Sequence, residues 1–342
     1  MITLPVEINI LELEAIIKGL QDGDRRSLAR AITKVESDSS DGREILRQIY
    51  PYTGRAHTIG VTGSAGAGKS TLVGALAREQ RKRGKTVGIV AVDPSSPFSH
   101  GAILGDRIRM QDLTGDDGVF LRSMASRGNL GGLSEMATGA ADLMDAAGLD
   151  VVLIETVGAG QDEVEVATAA QTTVLVANPG AGDEVQSMKA GLMEIAQIMV
   201  VNKADLAGAD TAVAQLKTLL AIADHGSWIP PVLKTIEKAD EGIDILADEI
   251  HKHFDHVRSA DHFEVERRNH VRGQIVDLTR AILQRRLIAL TANDSTLETL
   301  INQVAERQRD PRSAALELAD VISQQWSEPV SYTHLTLPTK RE

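Results

Sequence analysis

The sequence predicts an α/β fold with a mostly parallel central sheet flanked by helices, and three observations carry that reading. Between residues 57 and 250, short aliphatic runs alternate with helical stretches. Most runs are near-continuous Val, Ile and Leu, as expected of parallel strands buried on both faces. Several end at once in a polar residue: Asp93, Glu155, Asn178, Asn202. Ligands of open parallel sheets gather at the carboxyl ends of strands, so these residues point to one shared site. The third observation is Gly63-Ser64-Ala65-Gly66-Ala67-Gly68-Lys69-Ser70, which satisfies G-x-x-x-x-G-K-[ST] between an apolar run and the helical stretch from Thr71 to Arg83. Together they predict a P-loop NTPase.

The elements follow in order. Residues 8–37 read as a helical hairpin: Leu13, Ile16, Ile17 and Leu20 form one stripe, Asp22-Gly23-Asp24 turns the chain, and Leu28, Ile32 and Val35 resume the period. Ser37 to Gly42 is a breaker cluster. The expected strands are Ile59–Thr62, Val87–Val92, Val151–Ile154, Thr173–Ala177, Ile198–Val201 and Val232–Leu233. Helical periods return at Ile275, Leu278 and Ile282, and at Leu297, Leu300, Ile301 and Val304. Asp310-Pro311 interrupts before Ala315, Leu318, Val321 and Ile322 start another helix. The division expected is an N-terminal helical extension (1–55), a P-loop domain (56–256), a C-terminal helical region (257–330) and a non-native or disordered tail (331–342). The C-terminal helices suit either a cap on the sheet domain or a dimer interface.

Composition narrows the function. Of 342 residues, 42% are apolar but only 3% aromatic, which implies an aliphatic core. A net charge of −12 disfavours nucleic acid and anionic membrane as partners. The absence of cysteine excludes disulfides and thiolate metal sites and fits a reducing cytoplasm. Glu7, Glu12 and Glu14 interrupt the early apolar residues, so no secretory leader is expected, and no run approaches the roughly 18 apolar residues of a membrane span. A cytoplasmic protein is expected.

The motifs specify a guanine nucleotide and Mg²⁺. Glycines let residues 63–68 wrap a polyphosphate, Lys69 reaches the β- and γ-phosphates, and the Ser70 hydroxyl binds Mg²⁺, with Thr71 continuing the phosphate contact. Asn202-Lys203-Ala204-Asp205 stands at a strand end. The Asp205 carboxylate can accept from the guanine ring N–H and exocyclic amine, a donor pair that adenine lacks, while Asn202 holds the loop and the Lys203 stem covers the base. GTP is therefore favoured over ATP. Asp93 suits a Mg²⁺-bound water or the attacking water, and Glu155 stands where the metal-side carboxylate belongs. Asp106 is either a second Mg²⁺ partner or a helix cap. Gly158 is placed to donate its N–H to the γ-phosphate and to release a switch segment after hydrolysis. No glutamine directly follows Gly158, and Gln161 comes too late for a water-positioning role, so slow intrinsic turnover that a partner accelerates is expected.

These motifs resemble one family, the MeaB/ArgK/MMAA-type GTPases of the SIMIBI class. The resembling stretches are residues 60–71, 92–96, 103–107, 122–132, 155–161, 178–183 and 202–205, within a likeness that spans roughly 10–328. The resemblance implies a homodimeric GTPase that chaperones an adenosylcobalamin-dependent acyl-CoA mutase of the methylmalonyl-CoA mutase type, gating cofactor loading and protecting the enzyme. It also implies switch segments near 93–109, 155–166 and 178–189. Lys189 falls in the third, either as a group that enters the site with the mutase bound or as an exposed helical lysine. Two positions depart from the family pattern: His100 where Gly is usual and Asp162 where Ser is usual.

The alternative is a metallochaperone GTPase that delivers nickel or cobalt. His251, His253 and His256, with His262 and His270 nearby, would be its metal store, though Lys252, Asp255 and Arg258 make that stretch read as a solvated helix face. A cobalamin carrier is disfavoured by the lack of an Asp-x-His-x-x-Gly pattern, and a targeting GTPase by the acidic charge.

Overall fold

A computed structural model of the chain describes residues 10–93, 110–113, 115–125, 132–156, 169–179, 195–222, 227–259, 263–291 and 295–326. Seven parallel strands form one sheet in the order β3-β2-β4-β1-β5-β6-β7. They are β1 His57–Gly63, β2 Val87–Asp93, β3 Val119–Ala125, β4 Val151–Thr156, β5 Thr172–Ala177, β6 Ile198–Val201 and β7 Val232–Lys234. All six expected strands are present.

Alternation along the strands divides the core by face. Ile59, Val61, Val151, Leu153, Val174, Val176, Ile198 and Val200 point to the side covered by α4 (Lys69–Lys82) and α7 (Ile243–Arg258). Val90, Val92, Val152 and Ile154 pack on the other side against α5 (Gly132–Ala146), and Leu175, Ala177, Met199 and Val201 against α6 (Ala209–Leu220). Apolar area lost on both faces is the main stabilising contribution of such a sheet.

The N-terminus differs from the expected hairpin. Beyond α1 (Ile10–Gln21) and α2 (Arg25–Glu36) a third helix, α3 (Ser40–Ile49), begins inside the breaker cluster. Ser39 caps it, its hydroxyl accepting from the Gly42 N–H at 3.0 Å. The polar run thus supplies the N-cap of a helix whose buried face includes Ile45 and Ile49. All three helices join the apolar cluster of α5 through Ile16, Leu20, Ile32 and Ile49.

The second difference is β3, which the aliphatic-run criterion does not find. It is an edge strand carrying Arg122 and Ser123 among its apolar residues. Arg122 leaves the sheet to pair with Glu36 and to donate to Thr33 Oγ1 at 3.1 Å. Gln111–Leu113 precedes it as a short 3₁₀ turn.

The chain divides into two compact units, Met1–Leu278 and Thr279–Glu342. The first holds the sheet and the helices named so far. The division falls within α8 (Phe263–Thr291), and the second unit continues with α9 (Ser295–Ala305) and α10 (Pro311–Trp326). Asp310 accepts from the Arg312 and Ser313 N–H groups at 3.0 Å and starts α10 where Pro311 interrupts the preceding pattern. Among the described residues no helix is long and apolar enough to cross a membrane.

Candidate functional site

The site is built at the carboxyl ends of β1, β4, β6 and β7. β1 delivers the chain to the phosphate loop at Gly63, whose φ is 138° and where a Cβ would lie 2.1 Å from the Val176 carbonyl oxygen. Only glycine allows the loop to leave the sheet this close to β5. Gly66 and Gly68 also have positive φ, 77° and 90°. α4 then begins at Lys69 with Gly68 as its N-cap and no side chain capping it. The amide groups of that first turn are left for an anion, with the helix dipole behind them.

Lys69 is buried and its ammonium donates to the Gly63 and Ser64 carbonyls at 2.6 and 3.0 Å. The charge is therefore held inside the loop, where a polyphosphate would sit. The Ser70 hydroxyl donates to the buried Glu155 carboxylate of β4. Glu155 lies in register with Val61 of β1 and Ala91 of β2. A hydroxyl beside a carboxylate is a hard oxygen donor pair, and it fits Mg²⁺ better than a soft metal. Asp93 ends β2, two residues beyond the Ala91 that faces Glu155. Its side chain, together with Asp106, Gly158, Gln161 and Lys189, lies outside the described residues.

The second half of the site comes from β6. Asn202 is wholly buried; its Nδ2 donates to the Ala67 carbonyl at 2.8 Å and its Oδ1 accepts from Thr235 Oγ1 at 2.9 Å. Lys203 adopts a left-handed φ of 54° and extends its ammonium to the Gly66 carbonyl at 2.7 Å. Asp205 is exposed, free of the sheet's core. The loop expected to read the base is thus laced to the loop expected to hold the phosphates.

Sequence reasoning did not single out Thr235 and Glu237, which follow β7. Thr235 is buried and bonds backbone to backbone with Val201 and Ala204, closing the back of the 202–205 loop. The strand-end rule that found Asn202 would have found them had it been applied to Val232–Leu233 as well.

The histidine stretch is a correction. His253 does not lie on a solvated face: it is buried on α7, its Nδ1 is 2.8 Å from Thr172 Oγ1, and that hydroxyl is 2.7 Å from His57 Nε2. Phe254 stacks on His57 at 4.0 Å between centroids, and Trp228 meets His253 edge-on. Burial pushes the His57 imidazole down to about 3 and His253 to about 4, with neighbouring imidazoles as the next cause. The helical period of Ile243, Leu246, Ala247 and Ile250 continues to His253, and extending it would have put that histidine on the buried face. Among the described residues no group of three His, Cys, Asp or Glu side chains could hold a metal ion.

The family model described as methylmalonyl Co-A mutase-associated GTPase MeaB matches residues 28–292. The chain belongs to the MeaB family. A putative GTPase of Pyrococcus abyssi is 45% identical over 307 residues, 89% of this chain and 94% of its own length. The GTPase ArgK of Escherichia coli is 40% identical over 247 residues, 69% of this chain and 74% of its own. The crystal structure of an LAO/AO transport system kinase superposes with a TM-score of 0.73 at 29% identity, covering 93% of this chain and all of that one. This MeaB-family chain is accordingly a P-loop GTPase that binds guanine nucleotide.

Proposed function

We propose that this GTPase is a Mg²⁺-dependent, homodimeric chaperone of an adenosylcobalamin-dependent acyl-CoA mutase, working in the cytoplasm to gate cofactor loading and protect the mutase. The family description names methylmalonyl-CoA mutase, and that supports the choice of client. The observation that carries the switch reading is the Asn202–Ala67 hydrogen bond, because it makes base recognition and phosphate binding one mechanical unit.

In this reading the first-turn amides of α4 and the loop glycines take the β-phosphate, and Lys69 turns its ammonium from the Gly63 and Ser64 carbonyls toward the γ-phosphate. Ser70 and Glu155, with Asp93 and Asp106, hold the metal and its waters. Mg²⁺ bound there offsets the charge that develops on the transferred phosphoryl group. Asp205 accepts from the guanine N–H groups while Asn202 and Lys203 keep its loop in register with the phosphates. Gly158 and Lys189 belong to the segments that respond to the γ-phosphate and to the client. The exposed Ile275, Val276, Ile282, Leu283, Leu287 and Ile288 of α8 support a homodimer. A metallochaperone role loses its support with the burial of His253.

The test is GTP turnover with Mg²⁺, alone and with a candidate mutase, against ATP. Slow GTP-only turnover that rises sharply with the mutase supports the proposal, whereas turnover indifferent to every such mutase removes the client assignment.

A further inference from the structure

Asn178 is the strand-end polar residue to which the nucleotide site gives no role. Its side-chain carbonyl oxygen is buried and accepts no hydrogen bond. A buried acceptor without a donor is rare and needs a cause. The loop expected to read the base clasps this residue from both sides. Before it, the Ala177 carbonyl accepts from the Asn202 N–H at 3.0 Å. After it, the Pro179 carbonyl oxygen would lie 2.8 Å from a Cβ built on Gly208, whose φ is 94°. Asn178 follows Ala177 as Asn202 follows its register partner Val201, and strand alternation puts both amides on the face that carries the phosphate loop. The Asn202 amide cannot turn to Asn178, because Ala67 and Thr235 fix it at both ends. Lys203 can supply the donor. Its ammonium carries three N–H groups and spends one on the Gly66 carbonyl at 2.7 Å. It rides on a half-buried stem whose Cε lies 3.5 Å from a Cβ built on Gly68.

We infer that Asn178 is a positioning residue for Lys203, its carbonyl oxygen taking a second hydrogen bond from the ammonium when guanine lies under the Lys203 stem. The inference rests on the nucleotide site proposed above. A long aliphatic stem covers an apolar ring face while its charged head seeks polar partners at the edge. Gly66 holds that head at one point and leaves the stem free to pivot. A second anchor at Asn178 fixes the stem over the base. The bond joins a charged donor to a desolvated acceptor, which is a strong class of hydrogen bond. Because it forms as the base docks, it adds to nucleotide affinity and not to the stability of the fold alone. GDP and GTP carry the same base, so the contact serves both.

The test is a double-mutant cycle read by equilibrium binding of fluorescent mant-GDP to the full chain in Mg²⁺. It uses Asn178→Ala, Lys203→Met and the two combined, since methionine keeps a stem for the base and removes the ammonium. Asn178→Ala is expected to raise Kd about tenfold in the wild-type background, the effect of one charge-assisted hydrogen bond. In the Lys203→Met background the same substitution should change Kd by less than about twofold, because the donor is gone. Asn178→Asp keeps an acceptor facing the ammonium and should hold Kd within about threefold of the wild type. Asn178→Ala should also melt no lower than the wild type in the absence of nucleotide, which a merely structural role would not allow. Equal losses from Asn178→Ala in both backgrounds, no loss in either, or an Asn178→Asp chain as weak as Asn178→Ala overturns the inference and leaves the site standing. A wild-type chain that binds no mant-GDP overturns the nucleotide site itself and the inference with it.

Discussion

Asn202 Nδ2 donates to the carbonyl of Ala67 at 2.8 Å, joining the end of β6 to the phosphate loop across 135 positions of sequence. Both groups are buried, and the Asn202 carbonyl oxygen is held in turn by Thr235. Asn202→Ala leaves the Ala67 carbonyl and the Thr235 hydroxyl without partners, at a cost of about 1–3 kcal/mol for each unsatisfied group. The expected result is a lower melting temperature together with weaker GTP and GDP binding. Calorimetric titration and a thermal melt on one preparation measure both, and unchanged affinity would separate the two loops functionally.

Lys69→Ala removes the ammonium held between the Gly63 and Ser64 carbonyls. Hydrolysis is expected to vanish and nucleotide binding to weaken, because the charge that offsets the β- and γ-phosphates is gone. Normal single-turnover hydrolysis in this variant would sink the assignment of the phosphate site.

Asp205 lies exposed beyond the laced part of its loop, so its substitution leaves the fold intact. Asp205→Asn replaces an acceptor pair with one acceptor and one donor and should weaken GTP binding by about 2–3 kcal/mol, the range for hydrogen bonds to charged groups. Competition by GTP and ATP against a common probe reads the effect. A guanine preference equal to the wild type would show that Asp205 does not read the base.

Much of this architecture was legible because burial on both faces leaves a sequence signature. β1, β2, β4, β5 and β6 are aliphatic runs, and the polar residues that end four of them, Asp93, Glu155, Asn178 and Asn202, mark the carboxyl edge of the sheet. β3 escaped because one side of an edge strand carries functional contacts such as Arg122–Glu36. α3 escaped because Ser39 and Gly42 look like loop residues. Gly42 is in fact required by packing: a Cβ there would meet the Lys34 carbonyl oxygen at 2.4 Å. The P-loop and 202–205 motifs were legible since their chemistry is local in sequence. Thr235 and Glu237 reach the same place through the pairing of β7 with β6, and the strand-end rule points to them once the short run Val232–Leu233 is read as the last strand.

Asp142 on α5 gives a pH dependence of one sign. Removal from water, and after it the Asp145 carboxylate, push Asp142 up to about 7. Asp145 itself is committed to the Arg55 and Ala56 N–H groups. An unfolded aspartate ionises near 3.9, so from there to about 7 the folded chain holds a proton that the unfolded chain has lost. Stability contributed by this group is full below the unfolded value and is lost as pH rises toward 7. Asp142→Asn mimics the neutral acid and should raise the melting temperature at pH 8 more than at pH 5. Equal shifts at both pH values would contradict the raised value.

The His57–Thr172–His253 chain gives the opposite sign. The Thr172 hydroxyl has one proton to donate, so it donates to one imidazole and accepts from the other, and both rings must stay neutral to keep that order. Burial first, then the charge of neighbouring imidazoles, hold His57 near 3 and His253 near 4. An unfolded histidine takes up its proton near 6.5, so between about 6.5 and 4 the unfolded chain binds protons that the folded chain refuses. Stability is therefore complete above the unfolded value and falls as pH drops through this window, on the order of 1 kcal/mol per pH unit for each imidazole. The groups facing the chain, His251, His256 and Arg258, are basic and add to the resistance against protonation. His253→Gln keeps a hydrogen-bonding group beside Thr172 but cannot titrate. Its melting temperature should decline less steeply than the wild type's from pH 6.5 to 4.5. Parallel declines in the two proteins would assign the acid lability to other groups.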